Sequence, residues 1–220
     1  LGCGSLVVMV VEVGKVLGRL ADGWWAQVHD YLAEGEQAHK RGRLIAGASL
    51  HNPALRDQLE LVAAGREVLA RLHELYYGDL TGDPLTGLKR ACAGVAAEFA
   101  DLELVCLAVV NGAVYVAVVG AAGVWSKLAA HEGWIVNPTR AGQGVPGLSG
   151  WLQPGQVLVA GNSTFWQVLS LGAVRAAVAN SAPAAETAEA LTAVVHGHDT
   201  GLGGVGVVVH IPIIERVRTT

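Results

Sequence analysis

The apolar run from Leu104 to Trp125 admits two readings, one membrane-spanning helix or a pair of buried strands, and the residues at its centre decide between them. Asn111–Gly112 cuts the run in the middle, and this dipeptide is the strongest short signal for a two-residue hairpin turn. The flanking segments, Leu104–Val110 and Ala113–Val119, are rich in valine and alanine and suit strands paired about that turn. Antiparallel sheet is therefore expected, and no membrane span within this segment.

The rest of the chain reads in the same terms. Ser5–Val13 is apolar and β-branched, Trp24–Val28 and Arg43–Ser49 suit further strands, and Glu34–Lys40 reads as a polar loop. After Arg43–Ser49 come Asn52 and Pro53, a cap followed by a first-turn proline. They open an amphipathic helix with Leu55, Leu59, Val62, Leu69, Leu72 and Tyr76 on its apolar stripe. Asp83–Pro84 repeats the device for a second helix carrying Leu85, Leu88, Cys92, Val95 and Phe99. Beyond the hairpin, short strands are predicted at Gly123–Leu128, Gly133–Val136 and Gln156–Ala160, with a Gly- and Pro-rich loop over Asn137–Gly150. Helices at Phe165–Leu171 and Ala184–Val195 precede a closing strand at Val205–Ile211. Strands outnumber helices and arrive mostly in hairpin order, which predicts a layered α+β architecture with antiparallel sheets.

Composition sets the boundaries of function. At 220 residues and 52% hydrophobic, residues 1–220 are long enough for one domain with a buried core, either whole or excised from a longer chain. A formal charge of −4 and a single short basic stretch at His39–Arg43 argue against nucleic acid as a partner. Cys3, Cys92 and Cys106 are odd in number and lack ligand spacing, which argues against a disulfide framework or structural zinc and suggests a reducing, cytoplasmic compartment.

Three phrases in order carry a resemblance. The segment "VYVAVVGAAGVW" at Val114–Trp125 resembles a strand that ends in Gly-Asp-Ser. "PGQVLVAGNSTFWQVLS" at Pro154–Ser170 resembles a strand followed by Asp-Gly-Leu-Trp and a short helix, and "GGVGVVVHI" at Gly203–Ile211 resembles a terminal Asp-Asn strand. Those are features of the PPM-type metal-dependent protein serine/threonine phosphatases, and the resemblance covers most of the chain from about Arg43 onward. It implies an α+β, four-layer β-sandwich of two antiparallel sheets flanked by helices.

The resemblance also implies two Mg²⁺ or Mn²⁺ ions held by aspartates, since such ions need carboxylate and other oxygen ligands. Matched residue by residue, the family's metal-binding aspartates fall at Ala48, Ala121, Ser163 and Gly203, none of which carries a carboxylate. Arg19 stands where the family's phosphate-binding arginine is implied, with Asp22 as the nearby carboxylate. The expectation is a degenerate, catalytically inactive domain with no cofactor, acting on a protein partner or an attached domain as a binding or regulatory platform.

The rival reading is an active phosphatase with a rebuilt Mg²⁺ or Mn²⁺ site drawn from Asp22, His196, His198 and Asp199; a structural module of a longer protein is a third. His196–Gly197–His198–Asp199 has the donors for a metal, and its bland reading is a solvated turn at a helix C-terminus. The glycines around Arg140 lack the Gly-Lys-Ser/Thr ending of a P-loop, and no Gly-x-Ser-x-Gly occurs. Thiol or acyl-transfer catalysis has no support in the pattern, and the tryptophans suit core or edge cover.

Overall fold

Asn111 and Gly112 both take left-handed backbone, with φ of 50° and 84°, and join strands that pair as an antiparallel hairpin from Val110–Ala113 to Leu104–Val119. In the computed structural model, which describes residues 9–52, 54, 57–140, 144–180, 182–198 and 201–213, this hairpin lies inside one of two five-stranded sheets. The elements run β1 (Glu12–Leu17), β2 (Trp24–Leu32), α1 (Gly35–Lys40), β3 (Arg43–His51), α2 (Gln58–Tyr77), α3 (Pro84–Glu98), β4 (Leu102–Val110) and β5 (Ala113–Val119). They continue with β6 (Gly123–Leu128), β7 (His131–Val136), β8 (Gly147–Trp151), β9 (Val157–Gly161), α4 (Ser163–Val168), α5 (Leu171–Ala177), α6 (Ala184–His198) and β10 (Val205–His210).

One sheet has the order β2-β3-β4-β5-β8 and the other β1-β10-β9-β6-β7, with every pairing antiparallel. Three apolar layers hold the stack together. Leu61, Val68, Leu72 and Leu88 of α2 and α3 pack on Leu44, Ala46, Leu104 and Cys106 of the first sheet. Ile45, Val105, Leu107 and Val116 meet Leu158, Val207 and Val209 between the sheets. Val159 and Val208 take Phe165, Val174, Leu191 and Val195 of the helices beyond. This is the expected α/β/β/α sandwich, and it follows from strands whose side chains alternate between two buried faces. Among the described residues no helix is long and apolar enough to cross a membrane.

Several local expectations are corrected. The long helix starts at Gln58, because Asp57 accepts the Leu59 N–H at 2.8 Å as its cap. Asn52 instead closes a local turn onto the Ala54 N–H, and Pro53 and Leu55 lie outside the described residues. Leu59 is 77% exposed, so the buried stripe runs through Leu61, Val68, Leu69, Leu72 and Tyr76. Glu34–Lys40, read as a loop, holds the short helix α1. Within Asn137–Gly150, also read as a loop, Gly147–Trp151 pairs with β5 as an edge strand. The first strand begins at Glu12, and Ser5–Val8 lie outside the described residues. Asp83 caps α3 as expected, accepting the Thr86 N–H at 3.0 Å.

Between β2 and α2, His29 and His73 meet edge to face with ring centroids 6.4 Å apart, and His29 Nε2 is buried with no hydrogen-bond partner among the described residues. Burial first, then His73, holds the His29 pKa below its ordinary value; Lys15 adds to this and Asp30 opposes it. Burial lowers His73 as well. The unfolded chain therefore takes up protons that the folded one refuses, so stability is full above the unfolded histidine value of about 6.5 and falls as pH drops through it. The melting temperature is expected to fall between about pH 7.5 and about pH 5.5, and His29→Phe to remove much of that fall. A pH profile unchanged in the variant would contradict this assignment.

Candidate functional site

Three segments converge at one end of the sandwich: the close of β3, the β9–α4 junction and the turn before β10. The fold dictates the meeting, since β9 and β10 are neighbours in one sheet and β3 lies across the sandwich in the other. Asn162 stands at the junction, 1% exposed, as the N-cap of α4. Its Nδ2 donates to Ser49 Oγ at 2.8 Å and to the Gly203 carbonyl at 2.9 Å. Its Oδ1 accepts the Phe165 N–H at 3.0 Å and the Val205 N–H at 3.1 Å. Both donors and both acceptor positions of the amide are used, and the two backbone N–H groups fix which end is oxygen.

The surroundings add aromatic cover and one carboxylate. Trp24 stacks on His51 with centroids 4.3 Å apart, and its ring also lies over Gly203, where an added Cβ would stand 3.0 Å from Trp24 Cε3. Glu103 accepts the Ser163 N–H at 2.7 Å and so binds β4 to the start of α4. Several of these residues also face outward: Trp24, Ser49, His51, Asp101, Glu103 and Ser163 line a cavity of ≈ 350 Å³.

The residues singled out from the sequence fall as follows. Ala48 is fully buried among the residues facing α2 and α3, so it does not look into the sandwich; Ser49 does. The cause is strand alternation, in which a slip of one residue exchanges the two faces. Ser163 begins α4 and lines the cavity, while Asn162, one residue earlier, occupies the convergence. Gly203 takes a φ of 68° and contributes its carbonyl. Ala121 is partly buried in the β5–β6 turn, next to Gly120.

Arg19 is exposed ahead of β2, and Asp22 is exposed in the turn that leads into it. His196 and His198 are exposed in the last turn of α6, where ring N–H groups donate to the Leu17 carbonyl at 2.9 Å and the Val194 carbonyl at 3.1 Å. Asp199 lies outside the described residues. Among the described residues no three His, Cys, Asp or Glu side chains are placed to hold a metal, so Asp22, His196 and His198 form no such group.

Sequence reasoning missed Asn162, Trp24 and Glu103. Asn162 had a usable signal: a polar amide directly between the apolar strand Val157–Gly161 and a helix, which is the N-cap pattern. Trp24 and Glu103 had none, since their roles depend on contacts with Gly203 and Ser163, far away in sequence.

The fold is that of the PPM-type protein phosphatases. The chain is similar to the catalytic domain of the serine threonine protein phosphatase PstP in complex with two manganese ions, with a TM-score of 0.65 at 12% identity over 94% of this chain and 100% of that one. It is also similar to the PP2C phosphatase domain, with a fragment of the regulatory domain, of the cell fate determinant SpoIIE from Bacillus subtilis (TM-score 0.61, 14% identity, 94% and 64% covered). A third similar structure is the PPM Ser-Thr phosphatase MsPP from Mycobacterium smegmatis in complex with cacodylate (TM-score 0.61, 14% identity, 92% and 98% covered). No family model and no curated protein matches the sequence.

The two-cation centre that this fold implies does not fit the residues present. A hard divalent ion needs free oxygen lone pairs and negative charge to offset dehydration. At the convergence it would meet an amide whose oxygen already serves two backbone N–H groups, and whose NH₂ is turned toward Ser49 and Gly203. Asp101 and Glu103 bring two carboxylates to the cavity beside it, but Glu103 already accepts the Ser163 N–H, and no three His, Cys, Asp or Glu side chains among the described residues are placed to hold a metal.

Proposed function

We propose that residues 1–220 form a single phosphatase-fold domain that acts by binding or regulation, with no cofactor, and does not hydrolyse phosphoesters. The observation that carries this reading is the saturated amide of Asn162, whose four internal hydrogen bonds cross-link the point where the two sheets and the start of α4 meet. Fold and chemistry are separable, because the turns tolerate small neutral residues as well as aspartate. The rival reading, an active serine/threonine phosphatase with a rebuilt metal site, has less support: Asp22, His196 and His198 are not assembled into a ligand set. Regulation through an attached domain or a protein partner suits the reading, as the SpoIIE phosphatase domain is accompanied by a fragment of its regulatory domain. Nucleic acid is not a partner on this reading, and the unpaired buried thiols Cys92 and Cys106 suit a reducing cytoplasm.

The test is hydrolysis of p-nitrophenyl phosphate and of a phosphothreonine peptide with added Mn²⁺ or Mg²⁺. Turnover is expected to stay at the level of the metal alone. Turnover abolished by a chelator would overturn the proposal.

A further inference from the structure

Of the four strands that end the two sheets, three carry charged residues: Glu12 and Lys15 on β1, Asp30 on β2 and Glu132 on β7. Charges on edge strands discourage pairing with another chain. The fourth, β8, is Gly147-Leu148-Ser149-Gly150-Trp151, with no charge and no proline. It exposes Leu148 at 49% and Trp151 at 74%. Its inner edge pairs with β5, and no strand among the described residues pairs with its outer edge.

The five residues are complementary to their own reverse. In an antiparallel pair centred on Ser149, each Leu148 faces a Gly150 and each Trp151 faces a Gly147, while serine faces serine. Large side chains opposite glycines are a favourable cross-strand arrangement, in which the aromatic covers backbone that glycine leaves bare. The local space agrees. A Cβ added to Gly150 would have nothing within 4 Å, which leaves room for a leucine from across the strand. Gly147 lies beneath Leu85 and Lys89 of α3, whose side-chain carbons would stand 3.1 and 3.0 Å from an added Cβ. The Val116 carbonyl would stand closer still, at 2.9 Å, so this glycine is already covered by its own chain, and an indole reaching it rests on the outer side of Leu85 and Lys89, an apolar surface and a cation. With no charge on the strand, two identical edges meet without repulsion.

We propose that two copies of this chain associate by antiparallel pairing of β8 with β8 about a twofold axis at Ser149, joining two five-stranded sheets into one of ten strands. A twofold contact is isologous, so the same patch serves both copies. This inference stands apart from the metal-site reading.

Sedimentation of the purified chain between about 5 and about 500 μM tests it; an interface under about 1,200 Å² predicts a reversible dimer with Kd on the order of 10–100 μM. Trp151→Lys and Leu148→Lys are each expected to weaken association at least about tenfold by setting like charges near the axis, with the melting temperature at low concentration unchanged. Hydrogen exchange of the unaltered chain is expected to show protection of β8 amides that rises with concentration. It decides the question even if a variant fails to fold. A chain that stays monomeric at the highest concentration, or a dimer insensitive to both substitutions and unprotected at β8, would overturn the proposal.

Discussion

Asn162→Ala is expected to lower stability by about 2–4 kcal/mol, because it strands two buried backbone N–H groups and a carbonyl, each costing about 1–3 kcal/mol if water does not replace the amide. The affected groups are the N–H of Phe165, the N–H of Val205 and the carbonyl of Gly203, and Ser49 loses its donor as well. The residue links the two sheets across the sandwich, so the loss falls on global unfolding and not on one loop. Urea denaturation measures it. Asn162→Asp is the informative companion: it keeps an oxygen for both N–H groups but turns a second oxygen toward the Gly203 carbonyl, so it too is destabilised. A loss under about 0.5 kcal/mol for alanine would mean that the network is replaced by solvent and contributes little.

Arg41→Met is expected to cost about 2–4 kcal/mol, because it leaves carbonyls without a donor at about 1–3 kcal/mol each where water does not reach them. Arg41 is fully buried, and its charge is held by carbonyl dipoles: Nε and Nη2 donate to the Asp79 carbonyl at 3.2 and 2.7 Å, Nη2 to Thr81 at 2.6 Å, and Nη1 to Gly82 at 3.4 Å. These carbonyls belong to the α2–α3 connection, so one side chain from the turn before β3 fixes the helix pair to the sheet. The guanidinium also lies over the Tyr76 ring at 5.6 Å, and the Tyr76 hydroxyl returns a hydrogen bond to the Arg41 carbonyl at 2.9 Å. α3 reaches this close because Gly87 has no side chain; an added Cβ would stand 3.0 Å from the guanidinium carbon. Methionine matches much of the volume but leaves three carbonyls turned inward. Arg41→Lys is expected to recover little, since an ammonium lacks the planar fork that spans all three. Denaturation and exchange protection in α2 and α3 check both variants, and full stability in Arg41→Met would contradict the assignment.

What could be read from the sequence was local chemistry. Asn111–Gly112 announced a hairpin and Asp83–Pro84 a helix start, and both stand because turn and cap preferences are properties of two or three neighbouring residues. β8 was hidden because Gly147, Ser149 and Gly150 have weak strand preference; its pairing with β5 makes it a strand. The side to which Ala48 turns was hidden for a different reason. Every residue of β3 from Leu44 to Leu50 is buried, so no polar alternation marks which side chains face the helices and which face the other sheet. Ser163 and Asn162 are adjacent polar residues, and only the backbone of the β9–α4 junction decides that the cap, Asn162, is the one turned inward.

Titration calorimetry of Mn²⁺ into the purified chain tests most directly the proposal that the Asn162 convergence holds no cation. No saturable heat is expected up to about 1 mM metal, a concentration that would reveal binding worth about 4 kcal/mol. Saturable binding of about two ions per chain, lost with phosphatase activity on adding chelator, would contradict it and return the chain to the metal-dependent hydrolases.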